Sequence, residues 1–122
     1  MDAGFAMDLG GIVEDFAQNV AAQTDAIMRG DRKGGNKYAK RYIAAYKKLR
    51  DQGEAGRDAL AGLLAHPRMD VRVNAAACLL SDRPEQAKPI LEEAAQGKGM
   101  VPFLASRVLK YWDEGTWKLD VD

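Results

Sequence analysis

The side chains able to do chemistry are few and scattered. One histidine, His66, and one cysteine, Cys78, stand on different segments. Zinc takes about four Cys, His or carboxylate ligands, and these two supply no recognisable set. A Ser-His-Asp or Cys-His relay would have to use the same His66, and no serine or cysteine stands in a nucleophile motif. His66 precedes Pro67 at a helix end, where its imidazole is expected to hydrogen-bond terminal carbonyls. Cys78 is expected to be a small apolar core residue. The carboxylate pairs Glu14-Asp15, Glu92-Glu93 and Asp113-Glu114 are helix neighbours, which point about 100° apart and do not converge on one substrate atom. The stretch from Gly30 to Lys37 has the glycines of a phosphate loop. However, no lysine directly follows the last glycine, no Ser or Thr comes next, and no strand precedes it. These residue types predict a non-enzyme with no metal and no cofactor.

Charge placement is more informative. Residues 1–28 carry five acids and no base, whereas Arg29 to Arg50 carry nine bases and one acid, Asp31. The formal charge of zero therefore conceals a strong local asymmetry. Lys37, Lys40, Arg41, Lys47 and Lys48 recur at helical spacing, and the first three crowd the amino end of a helix. Positive charge there opposes the macrodipole by about 0.3–1 kcal/mol per group, so solvent screens it or an anion occupies it. Three readings follow: a solvated face that also pairs with the acidic first helix, a nucleic-acid or phosphate contact, or a dock for an acidic protein surface.

Helices must position these residues. The chain has 20 alanines against 13 β-branched residues and no clean apolar-polar alternation, so strands are hard to place. The first helix is expected from Leu9 to Arg29, with Leu9, Ile12, Val13, Phe16, Val20, Thr24, Ile27 and Met28 on one face and Gly30 as its C-terminal cap. Gly30 to Asn36 reads as a loop, with Asn36 capping a second helix that buries Tyr38, Tyr42, Ala45, Tyr46 and Leu49. A third helix covers Ala55 to Ala65, with Leu60, Leu63 and Leu64 inward, and ends at His66-Pro67. Asp70 caps a fourth, apolar almost all round and hence central. Ser81 or Asp82 caps a fifth, with Pro84 in its first turn. Pro89 is expected to split that segment, leaving a helix that begins near Lys88. The sixth helix, from about Val101, buries Phe103, Leu104, Val108, Leu109 and Trp112, and Gly115 closes it. Trp112 is expected to plug the open end of the last hairpin, with Trp117 folded over it.

A fixed interval links these helices. Ala45, Ala75 and Ala105 are thirty residues apart, and so are Leu49, Leu79 and Leu109; Leu60 and Ile90 repeat the interval. Stacked helical hairpins produce this pattern, a small alanine admitting close approach and a leucine filling the layer below. The stretch from Leu63 to Ala76 (LLAHPRMDVRVNAA) resembles a HEAT repeat: leucines end one helix, Pro67 sits at the turn, and Asp70-Val71-Arg72 opens the next. From about Phe16 to Gly115 the chain is similar to a bacterial family of HEAT-like domains of unknown function, through Gln23-Thr24-Asp25-Ala26, Gly56-Arg57-Asp58-Ala59-Leu60, Pro84-Glu85-Gln86-Ala87 and Trp112-Asp113-Glu114-Gly115. Pro89 departs from the regular helix at that place. The resemblance implies an all-α, α-α superhelix of about three hairpins, with Arg72 ion-paired to an aspartate, Asp70 or Asp58, and the second helix of each hairpin lining a concave side. It implies no known activity.

One helical domain over residues 9–115 is expected, with a flexible N-terminus at 1–8 and a tail at 116–122. A lone cysteine forms no intramolecular disulfide and agrees with a reducing compartment. The acidic start lacks a signal peptide's basic n-region, and no apolar run reaches the ~20 residues of a membrane span. A cytoplasmic location, no membrane partner and a monomer or weak homodimer are expected. The function expected is a protein-interaction module holding another polypeptide on its concave face through Lys37, Lys40, Arg41, Lys47, Asn74 and Arg107. The alternative is a nucleic-acid or phosphate-binding repeat using the basic face of the second helix.

Overall fold

A computed structural model describes residues 8–119. Six α-helices follow one another: α1 (Leu9–Met28), α2 (Arg32–Asp51), α3 (Gly53–Ala61), α4 (Met69–Leu79), α5 (Pro84–Ala94) and α6 (Met100–Asp113), with a 3₁₀ turn at Gly62–Ala65 after α3. No strand occurs among the described residues, so the all-α fold class stands. The chain divides between Leu63 and Leu64 into two compact units. Most of the expected flexible N-terminus, residues 1–7, and the last three residues of the expected tail lie outside the described residues.

In the first unit α1 packs along α2, and α3 touches both. Ile12, Phe16, Ala17, Val20 and Ala26 of α1 are buried, as are Ala45 and Leu49 of α2 and Leu60 of α3. The Phe16 ring meets the Tyr42 ring edge-on at 5.6 Å and 75°, a geometry the ring quadrupoles favour. The α2 tyrosines are half-buried rather than buried, as suits an apolar ring with a polar tip. Ile27 and Met28, expected inward, are exposed at the last turn of α1.

The α1–α2 connection departs most from the sequence expectation. Gly30 has φ 80° and its N–H donates to Ile27 O at 3.0 Å, while the Asp31 N–H reaches Ala26 O at 2.8 Å. This pair of bonds is the Schellman closure of α1. Asp31 then caps α2, its Oδ1 accepting the Gly34 N–H at 2.9 Å, as Asp8 Oδ1 accepts the Gly11 N–H in α1. The helix therefore starts at Arg32, and Gly34 and Gly35 lie inside its first turns instead of in a loop capped by Asn36. Each costs about 1 kcal/mol relative to alanine, but Gly35 is buried, and a Cβ there would meet Ile27 Cγ1 at 3.4 Å.

The Gly34 N–H bond holds the Asp31 carboxyl below the ordinary carboxylate value of 3.8, helped by the Arg29 guanidinium. A depressed folded-state value gives stability that is present above the unfolded value and lost as pH falls through the folded one. The melting temperature of wild type is accordingly expected to exceed that of Asp31→Ala by a constant margin from pH 7 to pH 5. That margin should shrink below about pH 3.8, which thermal unfolding followed by circular dichroism will show.

In the second unit α5 packs against α4 and α6, and α4 also meets α6. Val71, Val73, Ala75, Ala76 and Leu79 of α4 are buried, with Leu80 just beyond, which fits a helix apolar on nearly every side. α5 runs unbroken through Pro89. The missing N–H would have served the carbonyl of Glu85 in the first turn, and Pro89 is exposed, so water can reach that side while buried Ala87, Leu91 and Ala94 hold the helix straight enough to pack. Ser81 and Asp82 do not cap α5. They lie in a turn closed by the Asp82 and Arg83 N–H groups on Leu79 O, and Arg83 takes the N-cap position without a side-chain bond.

On α6 the inward row is offset from the expected one. Pro102 and Ala105 are buried, Val108, Leu109 and Trp112 are half-buried, and Phe103 and Leu104 are 59% and 44% exposed. Pro102, Ala105, Leu109 and Trp112 follow steps of three and four, and this row takes the seam. Gly115, at φ 74°, closes the helix as expected. The N–H groups of Thr116 and Trp117 both turn back onto Tyr111 O.

Candidate functional site

The turn into α4 is a polar knot. Asp70, one residue inside the helix rather than capping it, is 5% exposed. Arg68 grips it bidentately, Nε to Oδ1 and Nη2 to Oδ2, both at 3.0 Å, and Oδ1 also accepts the Val71 N–H. Buried carboxylates require such partners. The expected pairing of Asp70 with Arg72 is therefore replaced by Arg68. Arg72 Nη1 instead donates to the carbonyls of His66 and Pro67 at 2.8 and 3.0 Å, which end the preceding segment and need donors. His66 consequently does not serve those carbonyls: its Nδ1 accepts the Arg68 N–H at 3.0 Å. Asn74 Nδ2 donates to Asp70 O at 2.9 Å, so this amide hydrogen is committed to its own helix. Desolvation pushes the half-buried Cys78 thiol up to about 12, which keeps it protonated and unreactive near neutral pH. No three His, Cys, Asp or Glu among the described residues converge as a metal site.

Two exposed faces remain, one in each unit. On α2, Lys37, Lys40 and Arg41 are exposed and Lys47 is half-buried. Lys37 Nζ lies 5.1 Å and Arg41 Cζ 5.8 Å from the centre of the Tyr38 ring, and Arg50 stacks on Tyr46 at 5.9 Å. The half-buried tyrosines thus hold cations over their faces. The expected pairing of this row with acidic α1 does not occur among the described residues: none of Lys33, Lys37, Lys40, Arg41, Lys47 or Lys48 is in an ion pair.

On α6, exposed Arg107 sits between two rings one turn away on either side, 5.7 Å from Phe103 and 5.6 Å from Tyr111. Its Nη2 donates to Tyr111 Oη at 2.7 Å. The guanidinium is therefore fixed in place, with most of its five N–H donors still available. Sequence reasoning found Arg107 but missed Phe103 and Leu104, which it assigned to the core. The spacing 103, 107, 111 would have shown the shared row.

The profile of a domain of unknown function, DUF2019, matches residues 11–111. The chain belongs to the DUF2019 family. No curated protein matches it. Among solved structures, this DUF2019 chain is similar to the protein RPA1889 from Rhodopseudomonas palustris CGA009, with 26% identity, a TM-score of 0.86, and coverage of 98% of this chain and 99% of the other. No helix among the described residues of this DUF2019 protein is long and apolar enough to cross a membrane.

Proposed function

We propose that this DUF2019 chain is a non-catalytic protein-interaction module of the HEAT-like kind, a cytoplasmic monomer or weak homodimer that needs no cofactor and binds another polypeptide through α6. The observation that carries this reading is the α6 face. Phe103 and Leu104 are exposed at 59% and 44% beside a guanidinium already ordered by two rings and a hydrogen bond. Binding hot spots combine arginine with aromatic side chains, and a side chain ordered in advance loses less entropy on binding. The HEAT-like type is supported by the thirty-residue register, since Ala45, Ala75 and Ala105 are at most 2% exposed. Of the six residues assigned to partner contact, Arg107 has the geometry of an anchor. Asn74 contributes less, because its amide is tied to Asp70 O.

The test is site-directed photo-crosslinking in cells of the source organism. A photoreactive phenylalanine at position 103 is expected to give a discrete crosslinked protein band. The band should disappear on adding Arg107→Glu and be absent when the probe is placed at exposed Gln86 on α5. Equal labelling from positions 103 and 86, or no band from 103, would overturn the reading.

A further inference from the structure

We propose that the exposed row of bases on α2 binds the phosphodiester backbone of nucleic acid, without regard to base sequence, in addition to the polypeptide contact assigned to α6. Lys33, Lys37, Lys40, Arg41 and Lys48 are all exposed, and none forms an ion pair among the described residues. At about 1.5 Å per residue the row from Lys33 to Lys48 extends roughly 22 Å. The acids within α2 and its cap stand only at the ends, Asp31 and Asp51, and Asp31 is occupied by Gly34 N–H and Arg29. Because α2 starts at Arg32 rather than after Asn36, Lys33 alone of the row lies in its first turn, at the positive end of the macrodipole, and Lys37, Lys40 and Arg41 stand beyond it instead of crowding the amino end. A duplex carries one phosphate charge per ~1.7 Å of axis, so a line of bases this long meets several phosphates at once and releases their counterions.

The make-up of the row decides between nucleic acid and an acidic protein. Protein interfaces have an apolar, aromatic centre from which lysine is depleted. Here the exposed residues of α2 are Arg32, Lys33, Asn36, Lys37, Lys40, Arg41, Ala44, Lys48, Arg50 and Asp51, and Ala44 alone is apolar. Tyr38 and Tyr46 lie half-buried beneath their cations. Such a face offers charge and little else, which is what backbone contact uses. Contact through charge to the phosphates carries no sequence information, and the binding is accordingly sequence-independent.

Fluorescence anisotropy tests this with labelled probes of equal length, a 20-base-pair DNA duplex and a single-stranded RNA, titrated with the whole chain between 25 and 200 mM NaCl. At least one probe is expected to bind saturably, with affinity falling by a log-log slope of about −3 to −4 as about four phosphates are neutralised. The two probes separate duplex from single-strand preference. Lys40→Glu combined with Arg41→Glu is expected to weaken binding at least tenfold and to flatten the slope by about two. Lys110→Glu on α6 should leave both unchanged, and circular dichroism should show all variants folded. Polyglutamate of matched charge should compete poorly against the duplex, because an extended chain carries one carboxylate per ~3.3 Å, half the charge density of the duplex, and has fewer condensed counterions to release. Absence of binding to both probes at 25 mM NaCl, an unaltered Lys40→Glu, Arg41→Glu variant, or equal competition by polyglutamate would each overturn the proposal.

Discussion

Gly56→Ala is expected to destabilise the protein by about 4 kcal/mol or more, beyond the roughly 1–3 kcal/mol of ordinary overpacking. Gly56 is buried on α3. An added Cβ would overlap the Leu49 carbonyl oxygen and lie 2.7 Å from its carbon and 3.2 Å from its Cα. The obstacle is backbone, so no rotamer change relieves it, and α2 and α3 have to separate. Six residues along, Gly62 has φ −59° and open space around its would-be Cβ. Gly62→Ala is therefore expected to be neutral or stabilising by about 0.4–1 kcal/mol, through the unfolded chain. Urea denaturation of the two variants measures the contrast. A Gly56→Ala protein as stable as wild type would mean that α3 does not approach α2 this closely.

The second large effect concerns the leucines at the thirty-residue interval. Leu49 and Leu79 are each 1% exposed, and Leu49→Ala and Leu79→Ala are each expected to cost about 2–5 kcal/mol as a transfer loss plus a cavity. Leu109 occupies the same register on α6 but is only half-buried. Leu109→Ala should cost less than about 2 kcal/mol, because part of that surface already faces water. Equal losses at all three positions, measured by urea denaturation, would show that the interval does not report depth in the fold.

This register was also the most legible feature of the sequence. Alanine recurring at thirty residues marked buried positions on three helices and leucine on two, because a helix face keeps its identity over several turns. Where a local signal competed with packing, the reading went astray. Gly34 and Gly35 suggested a loop by propensity, yet a single aspartate cap and the buried seat of Gly35 make them helical. Pro89 suggested a break, yet its lost bond falls on the solvent side. Phe103 and Leu104 read as core on hydrophobicity alone, although the Pro102, Ala105, Leu109 row has the better spacing. The resemblance pairs Asp70 with Arg72, but two residues within one helix point about 200° apart, whereas Arg68 lies in extended backbone just before α4 and folds back onto the carboxylate. The basic row of the candidate site was visible from charge counting. Its lack of acidic partners was not, because pairing depends on how helices face one another.

The joint at Gly30 and Asp31 has a final implication for how such chains can vary. One aspartate finishes α1 through its amide and begins α2 through its carboxylate, leaving no slack between the two helices. Splicing in even a single amino acid would uncouple both duties, so this bend is a poor place for a tag, a new terminus or a grafted loop. Length differences among relatives should accumulate elsewhere, and the first two helices should be inherited as one piece.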